Sequence, residues 1–406
     1  GFGIFSNEKS KVTPRADDME VVESNVESTQ STVHSRGRWN RARLQKSNEV
    51  NESEGQSWRR ARGENHNALE SSHQIDLPIE ESQVLKISGA SRPGIGCTVR
   101  LRNGMLMPQM GLGSGDLEGC EGREAICTAL RAGYRLIDTA LFYRTEKEIA
   151  AGIRMAGLKR DQVFICTKVL QKAHASEAQV RNSLKESLKN LDTNYVDLYV
   201  IHNPRAGRIK EVWSLLLKLR EEGLCKAVGV SNFGVGQLEG LRESGFELPE
   251  VNQIEVHCWR QLPEVTAYHA KHGIATMCMA PLARGRMFGR SDLAKMAEEM
   301  GRTEAEVAIR WSLQKGYIPI PKSINPQRVL LNMADGFDLT KSQMDRIKHL
   351  DTGFMSCTMA SPCHELSWQL VADEIPDPDT WGGNRNKSKG SGKGKGKEKH
   401  SGYQKW

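Results

Sequence analysis

Six apolar, β-rich segments of this chain carry side chains near their ends that a hydrophobic core would not choose. Asp138 lies in RLIDT, Lys168 in VFICTKV and His202 at the end of DLYVIH. Ser231 and Asn232 follow a fourth segment, Gln253 sits within a fifth, and Lys322 with Ser323 follow a sixth. A carboxylate, an ammonium and an imidazole are the groups that move protons and balance charge at a reacting centre. Taken singly, a Lys after an apolar segment reads as a solvated end, and a strand His as a satisfied core residue. Taken together, each would carry a separate desolvation cost with no return unless the strands bring them to one place.

The elements that must position them follow from the periodicity. Short β-rich segments alternate with amphipathic stretches of helical length, the pattern of βα units around a parallel sheet. Eight strands are predicted: Gln109–Gly113, Arg135–Thr139, Val163–Val169, Val196–His202, Ala227–Ser231, Val251–Val256, Ala275–Ala280 and Ile318–Pro321. Eight such units over roughly 250 residues match a (β/α)₈ TIM barrel, whose active site lies at the C-terminal ends of its strands. Ser176 with Gln179 three residues on reads as the start of a helix whose apolar face carries Leu184, Leu188 and Leu191. Ahead of the first strand, TVRLRNGMLMPQ places Asn103-Gly104 between apolar residues, the signal of a β-hairpin, which would close the barrel floor. An open doubly wound sheet would need a GxGxxG turn after its first strand, and GLGSGDLEG (111–119) lacks that spacing.

Composition bounds the rest. The chain has 406 residues and a formal net charge of +7. Between Asn384 and Trp406 eight Lys or Arg face Glu398 alone, so the excess sits in a Gly/Lys-rich tail, and the barrel region is close to neutral. The expected organisation is a disordered extension over 1–74, a linker over 75–96, the barrel over 97–355, a loop segment over 356–383 and a disordered basic tail over 384–406. Two Arg/Trp patches, RGRWNRAR and SWRRARG, interrupt the extension and could contact an anionic partner. A specific nucleic-acid role is not expected, although the basic tail could hold polyanions weakly. Nine scattered cysteines without a CxxC pair fit buried, reduced thiols, and no zinc spacing appears. No apolar run is long enough for a membrane span, and a cytoplasmic monomer is expected, with the reservation that an N-terminal targeting sequence could be missing.

At this point the sequence resembles the aldo-keto reductase family. GYRLIDTALFYRTE (133–146) resembles its first signature, with an Asp five residues before a Tyr. KAVGVSNF (226–233) is similar to the second and IPKSINPQR (320–328) to most of the third, with VIHNP and VNQIEVH in the family's order between them. The resemblance implies an oxidoreductase that reduces an aldehyde or ketone with NADPH, through a tetrad of Asp138, Tyr143, Lys168 and His202. A carbonyl accepting hydride develops negative charge on oxygen and needs a proton donor. Tyr143 would be that donor, Lys168 would favour its phenolate, Asp138 would keep Lys168 charged, and His202 would orient the substrate oxygen.

The resemblance also implies cofactor contacts. Ser231, Asn232 and Gln253 match the positions that hold the nicotinamide carboxamide, with Met279 and Leu282 nearby. Lys322, Ser323, Arg328 and Asn332 match those on the adenosine side. Two cations and a hydroxyl suit a 2′-phosphate, whereas a free ribose hydroxyl would call for an acidic partner, so NADP is favoured over NAD. Departures from the family pattern are Asn203 where Trp is common, Met279 where an aromatic is common, Thr145 and Ala150 for Asn and Gly, and Leu331 within the third signature. A thioether can still pack on a ring. The alternative that these departures raise is an NADPH-binding regulatory or sensing barrel with little turnover.

Overall fold

A computed structural model describes residues 87–88, 92–357 and 366–374. The predicted extension over 1–74, its two Arg/Trp patches and the basic tail over 384–406 lie outside the described residues, as does most of the predicted linker.

Among the described residues a short strand β1 (Ile87–Ser88) pairs with β2 (Thr98–Arg100), and β2 pairs antiparallel with β3 (Leu106–Pro108). Gly104, at φ 84°, supplies the left-handed residue of the β2–β3 turn. The predicted hairpin is therefore present. Its side chains Val99, Leu101 and Met107 are buried against Leu136, Phe164 and Val251 at or near the beginnings of barrel strands, so they close the floor.

Eight parallel strands follow: β4 (Gly111–Gly113), β5 (Leu136–Asp138), β6 (Phe164–Val169), β7 (Val196–Ile201), β8 (Cys225–Ser231), β9 (Val251–Glu255), β10 (Ala275–Met279) and β11 (Ile318–Pro319). They neighbour one another in chain order, and the Gly113 amide donates to Pro321 O (3.1 Å), joining the first strand to the end of the last. The (β/α)₈ barrel is what the chain forms. Each strand lies within two residues of its predicted bounds, and His202 falls just after β7 rather than within it.

Helices α1 (Gly119–Arg131), α2 (Glu146–Met155), α3 (Glu177–Leu191), α4 (Ile209–Glu221), α5 (Val235–Glu243) and α6 (Pro263–His272) follow the first six barrel strands, β4 to β9, in turn. After β10 come α7 (Asp292–Glu299) and α8 (Glu304–Gln314); after β11 come α9 (Pro326–Leu331), α10 (Lys341–Lys348) and α11 (Trp368–Val371). Ser176 caps α3, its Oγ accepting from Gln179 N at 3.3 Å, and Leu184, Leu188 and Leu191 are buried.

The pleat of the strands decides what reaches the mouth. In β6, Phe164 and Cys166 face the barrel interior while Ile165 and Val169 face the helices, so the period of two turns Lys168 inward above Cys166. In β5 the inward residues are Leu136 and Asp138; in β7, Leu198 and Val200, with His202 next in step. Ala227 in β8 leads by the same count to Ser231, and Val251 in β9 to Gln253 and Glu255. Apolar side chains fill the lower part of the interior, and the polar ones gather toward the C-terminal ends of the strands.

Candidate active site

Asp138 and Lys168 meet inside the barrel. Lys168 Nζ lies 2.7 and 2.9 Å from the two Asp138 oxygens and donates also to Thr139 O at 2.8 Å, so all three of its protons are used. Lys168 is fully buried and Asp138 almost so. Burial pulls the ammonium down, but Asp138, followed by Tyr143, pushes it up by more, and the net direction is upward. Lys168 is therefore a fixed cation at any ordinary pH.

Tyr143 ends a short 3₁₀ turn, Leu141–Tyr143, that follows β5. The turn places the phenol over the pair: Lys168 Nζ is 5.0 Å from the centre of its ring. Tyr143 Oη and His202 Nε2 are 3.4 Å apart, with the two rings edge-on at 5.7 Å. Burial and then the Lys168 charge lower the His202 pKa to about 3, so the imidazole is neutral. Burial pushes the Tyr143 phenol up while Lys168 pulls it down, and burial outweighs the charge. The ammonium acts in the expected direction, but it offsets only part of the desolvation.

Behind Tyr143 a set of hydroxyls supports the turn. Thr145 Oγ1 lies 3.0 Å from Ser114 Oγ and 3.3 Å from Thr139 Oγ1, all buried. Thr145, a departure from the family pattern, thus ties the turn after β5 to the loop after β4.

Ser231, Asn232 and Gln253 join the same layer. Ser231 Oγ donates to Gln253 O at 2.9 Å, and Asn232 Nδ2 donates to Ser231 Oγ and to His202 O at 3.1 and 3.2 Å. Asn232 reaches both because its backbone is left-handed (φ 65°). Gln253 Nε2 donates to Asp138 Oδ1 at 2.7 Å, joining this trio to the charged pair. Their amide nitrogens are spoken for, so the oxygens of Asn232 and Gln253 are the ends suited to the N–H groups of a carboxamide. Met279 ends β10 half-buried, and Leu282 packs where two helical cores meet.

The remaining predicted residues form a second cluster around the end of β11 and α9. Lys322 and Arg328 are exposed, and Lys322 lies 3.4 Å from the exposed Asp116. Ser323 is buried, with its hydroxyl 3.3 Å from Asn325 O, and Asn332 is buried at the end of α9. Two exposed cations beside a hydroxyl fit the charge and donor chemistry of a phosphate.

The family model for the aldo/keto reductase family matches residues 109–352. The chain belongs to the aldo-keto reductase family. It is therefore an oxidoreductase of a family that reduces carbonyls. The glyoxal reductase of Bacillus subtilis is 38% identical over 257 residues, covering 63% of this chain and 92% of that protein. Methylglyoxal reductase DkgA of Escherichia coli is 35% identical over 290 residues, covering 70% and 98%. A crystal structure of a Bombyx mori aldo-keto reductase in complex with NADP is 28% identical, with a TM-score of 0.61, covering 71% of this chain and all of that one.

Residues that the sequence reading missed are Glu255, Ser356 and Cys357, which meet at the same mouth. Glu255 had a signal: it stands two positions beyond Gln253 in a strand, and the rule that singled out Asp138 applies to it. Ser356 and Cys357 open the loop segment expected over 356–383, but their contact with β9 had no signal, because only folding brings them there.

Proposed function

We propose that this chain reduces an aldehyde or ketone to the alcohol with NADPH, with Tyr143 as the proton donor. The observation that carries this reading is the phenol of Tyr143 held between a permanently charged Lys168 and a neutral His202 at the C-terminal mouth of the barrel. NADPH, when bound, supplies hydride to the carbonyl carbon. The chain's own residues handle the oxygen. His202, neutral and 3.4 Å from Tyr143 Oη, can donate to the carbonyl oxygen without competing as an acid. Tyr143 gives up its proton as charge develops on that oxygen, and the Lys168 ammonium stabilises the phenolate left behind. Asp138 keeps Lys168 fixed, so the cation is in place before the reaction begins.

Ser231, Asn232 and Gln253 would hold the carboxamide of the nicotinamide, and Met279 and Leu282 would pack beside it. Lys322, Ser323, Arg328 and Asn332 would take the adenosine end, with the two cations selecting the 2′-phosphate of NADP over NAD. Small dicarbonyls such as glyoxal and methylglyoxal, named in the relatives, are the first substrates to try.

The test follows NADPH absorbance with a panel of aldehydes, wild type beside Tyr143→Phe. Removal of a general acid is expected to lower kcat by about 10²- to 10⁴-fold with the cofactor still bound. Wild type no faster than Tyr143→Phe on every substrate would remove the reductase reading.

A further inference from the structure

Glu255 is a carboxylate buried at the end of β9, and the site described so far does not use it. Its Oε1 accepts from Ser356 N at 2.7 Å, from the Ser356 hydroxyl, and from His257 Nε2 at 3.2 Å. Its Oε2 accepts from Cys357 N at 3.2 Å. Three of these four donors belong to a segment about a hundred residues away in sequence. The residues before that segment follow the loop after β9: Thr352 N and Phe354 N both donate to Trp259 O (3.2 and 3.0 Å), and Arg260 Nη1 donates to Gly353 O (3.3 Å). The residue at its far end, Cys357, has its sulfur 3.6 Å from Arg284 Nη2 in the loop after β10. Residues 351–357 are thus strapped from the end of β9 to the loop after β10, and Glu255 is the buried charge at the centre of the strap.

The strap borders the reaction site. Glu255 shares a small cavity with Asn232 and Phe233, and Asn232 is bonded to His202 O. Glu255 is also the next inward residue of β9 after Gln253, whose amide donates to Asp138 Oδ1 at 2.7 Å. A buried carboxylate aimed into a barrel mouth costs desolvation energy, and here three of its four offsetting contacts come from one distant segment.

We propose that Glu255 is a positioning residue that fixes Ser356 and Cys357 as one wall of the carbonyl-binding mouth, and so governs KM for the carbonyl more than the rate of hydride transfer. The proposal rests on the reductase reading for its kinetic half and on geometry alone for its structural half.

Glu255→Gln in the full chain tests both. A neutral amide keeps the size of the side chain but replaces one acceptor oxygen by an NH₂ that faces the donors of Ser356 and Cys357. The structural readout is the rate at which iodoacetamide labels Cys357, resolved by peptide mass spectrometry, with the exposed Cys120 as internal standard. Loss of charge-assisted hydrogen bonds is expected to raise labelling of Cys357 relative to Cys120 by about tenfold or more. KM for methylglyoxal is expected to rise by about as much while kcat moves less than about twofold. Ser356→Ala removes one donor and leaves the carboxylate in place; it should raise labelling by about two- to fivefold, and it carries the test if Glu255→Gln does not fold. Unchanged labelling of Cys357 in the folded variant overturns the strap. Raised labelling with unchanged KM, or with kcat falling as far as KM rises, overturns the kinetic assignment. Labelling requires no turnover, so a wild type inactive on every carbonyl sinks the reductase reading and leaves the strap to be decided separately.

Discussion

Two groups of charged side chains sit at the C-terminal ends of the barrel strands, and they are built on opposite plans. Asp138 and Lys168 are buried, matched to each other at 2.7 Å, and tied into Gln253 and Thr139. Lys322 and Arg328 are exposed, and the acidic neighbour of Lys322 at 3.4 Å is itself open to water. The difference teaches what each can do. A buried pair keeps its geometry before any ligand arrives, so its field acts on Tyr143 without reorganisation. Exposed cations are hydrated and screened, so they suit the capture of a charged ligand and respond to salt.

The largest effect expected from this contrast is on stability. Lys168→Met leaves Asp138 buried beside an apolar side chain and should cost about 3–5 kcal/mol of unfolding free energy, read by chemical denaturation, in addition to abolishing turnover. A loss below about 1 kcal/mol would mean that the pair is far better hydrated than its burial implies.

Next comes the exposed cluster. Arg328→Ala should leave the unfolding midpoint unchanged and weaken NADPH binding by about 10- to 100-fold, the scale of a hydrogen bond to a charged group, while NADH binding changes little. Titration of both cofactors by protein fluorescence decides it, and equal losses for the two would place Arg328 away from the 2′-phosphate. Raising salt should weaken NADPH binding while leaving kcat at saturation unchanged.

A more gradual effect, spread over several pH units, concerns the histidines. His202 and His269 are lowered to about 3 and His174 to about 4, burial being the first cause in each. Their folded pKa values lie below the unfolded value, so between these limits the unfolded chain binds more protons and stability falls as pH falls. Each histidine contributes up to about 1.4 kcal/mol per pH unit between about pH 6.5 and its folded pKa. Thermal melts from pH 7 to 4 should show this decline, and the rate of reduction should show no inflection from His202 above pH 5. The raised Tyr143 pKa keeps the phenol protonated through neutral pH, so reduction should slow only in strongly alkaline solution. Smallest of all, Asp116→Asn should change stability by less than about 1 kcal/mol, because both partners of that ion pair are solvated.

Much of the site was legible because a barrel strand imposes a simple rule. Alternation sends every second residue inward, so a polar residue at the end of an apolar strand marks the mouth, and Asp138, Lys168, His202, Ser231 and Gln253 were found that way. The same rule, carried two residues past Gln253, reaches Glu255. The direction of the Tyr143 shift was not legible, since it depends on how completely the phenol is buried.

The sequence alone determined the period of the strands, the hairpin at Asn103-Gly104 and the identity of the inward-facing polar residues, because these depend on local geometry and neighbouring side chains. Tertiary structure decided which of those residues touch: Gln253 on Asp138, Asn232 on His202 O, and Glu255 on Ser356 and Cys357. Such contacts depend on strand stagger and on where a distant segment returns, and no spacing in the chain encodes either. They also set the dielectric in which each charge acts, and so the balance by which burial outweighs Lys168 at the phenol of Tyr143.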